Sequence, residues 1–102
     1  MLNTDKTTQN ILKMAEFFEN LPPEKYNQND FLDGHGRRCI CGWVNFKTSH
    51  PLPADRFHAA DYLGISIDQS LALFGARRDD PTPKQAARVL RHLAVTGEVN
   101  WG

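Results

Sequence analysis

Cysteine is scarce: the 102 residues hold only two, Cys39 and Cys41, one residue apart. Two thiols are too few for a disulfide scaffold, and a bridge between such near neighbours would be strained. Free thiols suit a reducing compartment, so a cytoplasmic location is expected. Long apolar runs are lacking too. No stretch approaches the ~20 residues needed to span a bilayer, and the opening residues lack the charged, apolar, small order of a signal peptide. No membrane partner is expected. Excess charge is also absent: 12 Lys and Arg balance 12 Asp and Glu, for a formal net charge of +0. A bulk pull toward nucleic acid or membrane is thereby removed, though a local patch is not. There is no phosphate loop, nucleophile elbow or paired-carboxylate signature, and no cofactor is implied. No internal repeat or low-complexity segment is visible.

What is present is helical periodicity with strong punctuation. Residues 5–20 carry Ile11, Met14, Ala15 and Phe18 at helical spacing, with Lys13, Glu16 and Glu19 on the wet side and Thr4 or Asp5 as N-cap. Adjacent Phe17 and Phe18 cannot both point inward, so one serves a neighbour or partner. Pro22-Pro23 ends this helix. Residues 22–30 form a polar connector with Tyr26 lying on the core. Asp33-Gly34-His35-Gly36 is a tight turn, and Asp-Gly is a hairpin signal, so residues 30–40 read as a turn or short hairpin. A helix over 41–49 follows, ended by Pro51. A helix over 54–63 points Phe57, Ala60 and Leu63 inward and stops at Gly64. Ser66 and Gln69 form a capping box for a helix over 67–74, whose Ile67, Leu71 and Phe74 share a face. Thr82, Pro83 and Gln85 make the strongest helix start, opening residues 83–95 with the stripe Ala86, Val89, Leu90 and Leu93. The tail, 98–101, is extended, with Trp101 packing back on the core. The chain 1–102 therefore reads as one small, mainly α domain of four to five short helices, with a minor hairpin or strand pair near 31–40 and 98–101. Its centre is the stretch 30–49, where Cys39, Cys41 and Trp43 form an apolar hub and Trp101 adds to the core.

These elements resemble a group of short bacteriophage and prophage-type proteins. The shared pieces are a G-x-x-C-x-x-G element, here Gly36 to Gly42, a helix junction at Leu63-Gly64-Ile65-Ser66 running to Leu73-Phe74, and a T-G-x-v-x-W tail at Thr96 to Trp101. The resemblance covers about residues 10–102. It implies a small phage- or bacteria-type intracellular protein without established catalytic residues.

Four constellations bear on chemistry. His35, Cys39, Cys41 and His50 offer the nitrogen and sulfur donors of structural zinc, but a single residue between the cysteines makes it hard for both sulfurs to meet one ion. The thiols are more simply small buried hydrophobes, and no metal is expected. Cys39 or Cys41 beside Arg37 and Arg38 has the makings of a nucleophile, and His35 sits on a reachable loop between two glycines, yet no third orienting group is identifiable. No catalytic residue is expected. Ala60, Gly64 and Ile65 match a helix-turn-helix, but the next helix opens on Ile67, Asp68, Gln69 and Ser70, with no cation for phosphate. Lys84, Arg88 and Arg91 lie at i, i+4 and i+7 opposite the apolar stripe, with Arg77 and Arg78 before them. As a solvated face this ridge needs no partner; as a docking surface it suits an acidic protein or nucleic acid. The expected function is a non-enzymatic accessory protein that binds a host or phage protein through Arg77, Arg78, Lys84, Arg88 and Arg91. A DNA-binding regulator is the alternative, followed by a zinc-stabilised domain or thiol/histidine enzyme. Self-association through Phe17 and Trp101 is also open.

Overall fold

Helix α1, Lys6–Asn20, buries Ile11, Met14, Ala15 and Phe18, the stripe its spacing dictates. The structure, a computed structural model, describes residues 6–102; the expected Thr4 or Asp5 cap lies outside them. A single 3-10 turn at Pro23–Lys25 leads to Tyr26, which is buried. Helices α2 (Ile40–Lys47), α3 (Arg56–Leu63), α4 (Ile67–Phe74) and α5 (Pro83–Thr96) follow. The chain is mainly α, as its periodicity requires. Helices α1 and α5 share the most extensive interface, and α2, α3 and α4 close the other side of the same core.

Local chemistry sets most of the boundaries. Both capping boxes form: Ser66 Oγ accepts from Gln69 N–H at 3.1 Å, and Thr82 Oγ1 accepts from Gln85 N–H at 3.1 Å. Gly64 (φ +70°) and Gly97 (φ +77°) end α3 and α5 in the left-handed region that an L side chain resists. Helix α3 begins two residues later than expected because Asp55 is its N-cap, accepting from His58 N–H at 3.1 Å.

Four expectations require correction. No hairpin joins Phe31-Leu32 to Arg38-Cys39-Ile40. Asp33 does form its turn, its Oδ1 accepting from the N–H of His35 and Arg37 at 2.8 and 3.0 Å. The only bridge among the described residues, a parallel one, pairs Tyr26 with Arg38. Residues 98–101 likewise form no strand there. Phe57 points outward, 64 % exposed. In α4 the buried residues are Ser70, Leu73 and Phe74, while Ile67 and Leu71 are exposed. A two-turn helix offers more than one apolar stripe, and the neighbouring helices choose between them.

The cysteine segment enters the core as expected: Cys39, Ile40, Cys41 and Val44 are buried. Trp43 is only half-buried and packs on the core from outside. Gly42 lets the backbone of the 31–38 loop lie directly on α2. A Cβ there would stand well inside contact distance of the Phe31 carbonyl oxygen and 3.0 Å from Arg38 Cβ. Trp101 packs back, its Nε1–H donating to the Ala72 carbonyl at 3.0 Å.

Candidate docking surface

Helical spacing places Trp43, Phe46 and Lys47 on one stripe of α2. Trp43 Nε1–H donates to the Lys25 carbonyl at 3.1 Å, which fixes the indole. Phe17 of α1 meets it with ring centroids 5.2 Å apart, and Phe46 meets it edge to face at 5.4 Å. Phe18, the other member of the adjacent pair, is the buried one. Arg38 lays its guanidinium over Phe46, 4.6 Å from the centroid, and lies 5.5 Å from that of Trp43. Lys47 Nζ sits 5.0 Å from the Phe17 ring. Phe46 remains 54 % exposed. Among the described residues neither Arg38 nor Lys47 meets a carboxylate. Aromatic area, a stacked guanidinium and unpaired positive charge thus lie together on the surface.

The basic residues singled out from sequence fare differently. Lys84, Arg88 and Arg91 do come together, lining a shallow depression with Glu19. Arg91 is committed there: its Nε–H and Nη2–H donate to the two Glu19 oxygens at 2.6 and 2.7 Å. Those bonds hold the Glu19 carboxyl below its usual range. Arg77 is committed elsewhere. It pairs with Asp79 at 3.0 and 3.1 Å, covers the Trp101 ring at 4.9 Å, and its N–H donates to Asn29 Oδ1 at 2.7 Å. Arg78 is exposed in the same loop. Two of the five residues therefore serve the fold, while Lys84 and Arg88 meet no carboxylate among the described residues.

The metal and nucleophile constellations are dispersed. Cys41 Sγ faces the Pro53 carbonyl at 3.6 Å and Asn45 Nδ2 at 3.7 Å. His50 instead stacks on His58, centroids 4.0 Å apart and planes 7° apart, and directs Nε2 at Asp55 Oδ2, 2.8 Å away. Thr48 Oγ1 donates to the Val44 carbonyl at 2.9 Å and lies 3.0 Å from His58 Nε2. His35 sits exposed on the Asp33 turn. Among the described residues, no three of His, Cys, Asp and Glu converge on a site for an ion. Burial pushes the Cys39 thiol up, and burial followed by the Cys39 and Asp55 charges pushes Cys41 up to about 12.

Sequence reasoning assigns Trp43 wholly to the core, whereas it is half-buried and its stripe runs on to exposed Phe46. The available signal was the i, i+3, i+4 spacing of Trp43, Phe46 and Lys47, a second stripe on a helix already apolar elsewhere. No protein-family model, curated protein or solved structure matches the chain.

Proposed function

We propose that this chain is a non-enzymatic accessory protein of the phage or bacterial kind that docks an acidic protein segment on the Arg38–Trp43–Phe46 face and so modulates its partner. The observation that carries this reading is the pairing of half-exposed aromatics with unpaired Arg38 and Lys47. Tryptophan, phenylalanine and arginine are the residues on which interface energy concentrates, and unpaired cations steer an acidic partner into register. Both thiols are buried, and burial pushes each of them up, which supports a role without catalysis. Two unbridged cysteines support a cytoplasmic setting, and no described helix is long and apolar enough to cross a membrane.

A protein partner is favoured over nucleic acid by two observations. A base needs an open aromatic face, and the Phe46 face already carries Arg38. The helix-turn-helix reading is weakened at α4, where Gln69 is held by Ser66 N–H and the Gly97 carbonyl and the exposed neighbours are Ile67, Asp68 and Leu71.

Capture from nuclease-treated bacterial lysate tests the reading. The wild-type chain should retain a stoichiometric protein that Arg38→Glu/Lys47→Glu loses and Lys84→Glu/Arg88→Glu keeps. Loss only with the second pair would move the docking surface to the α5 ridge. Retention by both variants, or no protein retained by the wild type, would refute it. Tight, steeply salt-dependent binding of a fluorescent single-stranded oligonucleotide would replace it with the nucleic-acid reading.

A further inference from the structure

A cavity of about 250 Å³ opens between the 28–31 loop, Cys39, the start of α3 and the face of α4. It shares no residue with the docking surface. Three of its walls are apolar: Phe31, Leu71 and Phe74. Half-exposed Leu71, which sequence periodicity assigns to the core, has this cavity as its apolar surroundings. One wall is built rigidly. The buried Gln28 amide accepts from Tyr26 Oη and donates to the carbonyls of Leu73 and Gly75 at 3.1 and 2.8 Å, which ties the loop to the end of α4. The Cys39 thiol also lines the cavity, and burial keeps it neutral.

Two residues of opposite charge line the same space. Arg56, the first residue of α3, and Asp30 both line the cavity. They do not reach each other, and among the described residues neither side chain has an ion-pair or hydrogen-bond partner. The Asp30 carboxylate is near enough to the thiol to act on its ionisation. An anion alone would satisfy Arg56 but meet Asp30, and a cation alone would do the reverse. A molecule carrying both charges and an apolar body answers all the groups present.

We propose that this cavity binds a small apolar zwitterion of the α-amino-acid class. The carboxylate lies toward Arg56, the ammonium toward Asp30, and the side chain among Phe31, Leu71 and Phe74. A space just below the ~300 Å³ lower end of ordinary ligand pockets limits the guest to a single amino acid.

Amide-resolved NMR titration of the full chain tests this, with L-phenylalanine and L-leucine as probes and 3-phenylpropanoate and phenethylamine as single-charge controls. Saturable shifts are expected at Phe31, Cys39, Arg56, Leu71 and Phe74, with a Kd on the order of 1 mM or tighter. Each single-charge control should bind at least about tenfold more weakly, and so should L-phenylalanine to Arg56→Gln or Asp30→Asn. Both variants alter exposed side chains, and their unshifted amides elsewhere report that the fold is kept. No saturation by either amino acid, shifts centred elsewhere, or equal affinity for the single-charge controls would overturn the assignment. Because the docking surface uses other residues, failure here leaves the protein-partner reading standing, and the converse holds.

Discussion

Replacing Gly42 with alanine should destabilise the protein, although the same change inside most helices would stabilise it. On propensity alone, Gly→Ala within a helix gains about 1 kcal/mol. Here the new methyl points into the 31–38 loop. It would stand 2.9 Å from the Phe31 carbonyl carbon, closer still to the oxygen, and 3.0 Å from Arg38 Cβ. The carbonyl belongs to backbone and cannot rotate aside as a side-chain tip would. The loop must lift, which strains the Cys39 N–H to Asp30 carbonyl bond at 2.9 Å and the Asp33 N–H to Arg37 carbonyl bond at 3.0 Å. Overpacking of this kind costs about 3 kcal/mol, at the upper end of its usual range. Against the propensity gain, that leaves a net loss of about 2 kcal/mol. In a chain of this size the loss corresponds to a Tm lower by roughly 10 °C and a urea midpoint lower by about 1 M or more. Urea unfolding followed by tryptophan fluorescence reads it directly, since Trp43 is the next residue. Gly34→Ala is the control: nothing lies within 4 Å of its Cβ position, and its φ is not positive. That variant should stay within about 0.5 kcal/mol of wild type. A Gly42→Ala protein as stable as the parent would refute the close approach of loop to helix.

Asn45 should behave as a buried clamp. Its Nδ2 lies 3.1, 3.0 and 3.0 Å from the carbonyls of Leu52, Pro53 and Asp55, and the residue is fully buried. Asn45→Ala removes the two N–H donors those carbonyls share, so a loss of about 2–4 kcal/mol is expected in the same urea assay. The native thiols should resist iodoacetamide at pH 8, because burial and the raised Cys39 and Cys41 values leave little thiolate. Mass spectrometry should find both modified only after denaturant is added. Stability should be level near neutral pH and fall in acid. Burial pushes the Asp33 carboxyl up, but bonds from Asn27, Arg37 and the His35 N–H outweigh it and hold it well below the usual range. Asp55 is held below that range by the His58 N–H and by His50. A depressed carboxyl stabilises the fold above its unfolded value, about 3.9, and that contribution is lost as pH falls through the folded value. Asp33→Asn should therefore flatten the decline of the urea midpoint below about pH 4.

What was legible in the sequence was mainly local. Ser66 with Gln69, and Thr82 with Gln85, announce helix starts because both partners lie within one turn. The Asp33 turn is legible for the same reason: its carboxylate bonds the backbone N–H groups of the next few residues. Three features depend on distant partners and were not legible. Phe57 and Leu63 fall on different faces of a two-turn helix, and packing against α2 and α4 decides which is covered. Arg91 looks like a free ridge cation until Glu19, 72 positions earlier, is brought beside it. Trp43 satisfies the criteria for a core residue and those for a surface anchor alike, because its indole does both: one edge meets Phe17 and the Lys25 carbonyl, and its stripe continues to exposed Phe46.

The segment 27–39 has no regular structure apart from one bridge, yet it supplies a cation to the proposed docking surface and an acid and an aromatic to the cavity. Its order comes from bonds at both ends. The Asn27 N–H donates to the Arg38 carbonyl at 3.1 Å, and the Arg38 N–H donates to the Lys25 carbonyl at 3.3 Å. Asn29 Oδ1 receives the Arg77 N–H, joining the segment to the loop before α5. Loops positioned by a rigid scaffold are where binding groups concentrate, and α2 is the scaffold here, with Gly42 as the point of contact. The same carbonyl that excludes a methyl at Gly42 belongs to Phe31, a wall of the cavity, and the Cβ it would also crowd belongs to Arg38, the guanidinium over Phe46. One substitution at Gly42 should therefore weaken both surfaces together, whereas Arg38→Glu and Asp30→Asn should each weaken only its own.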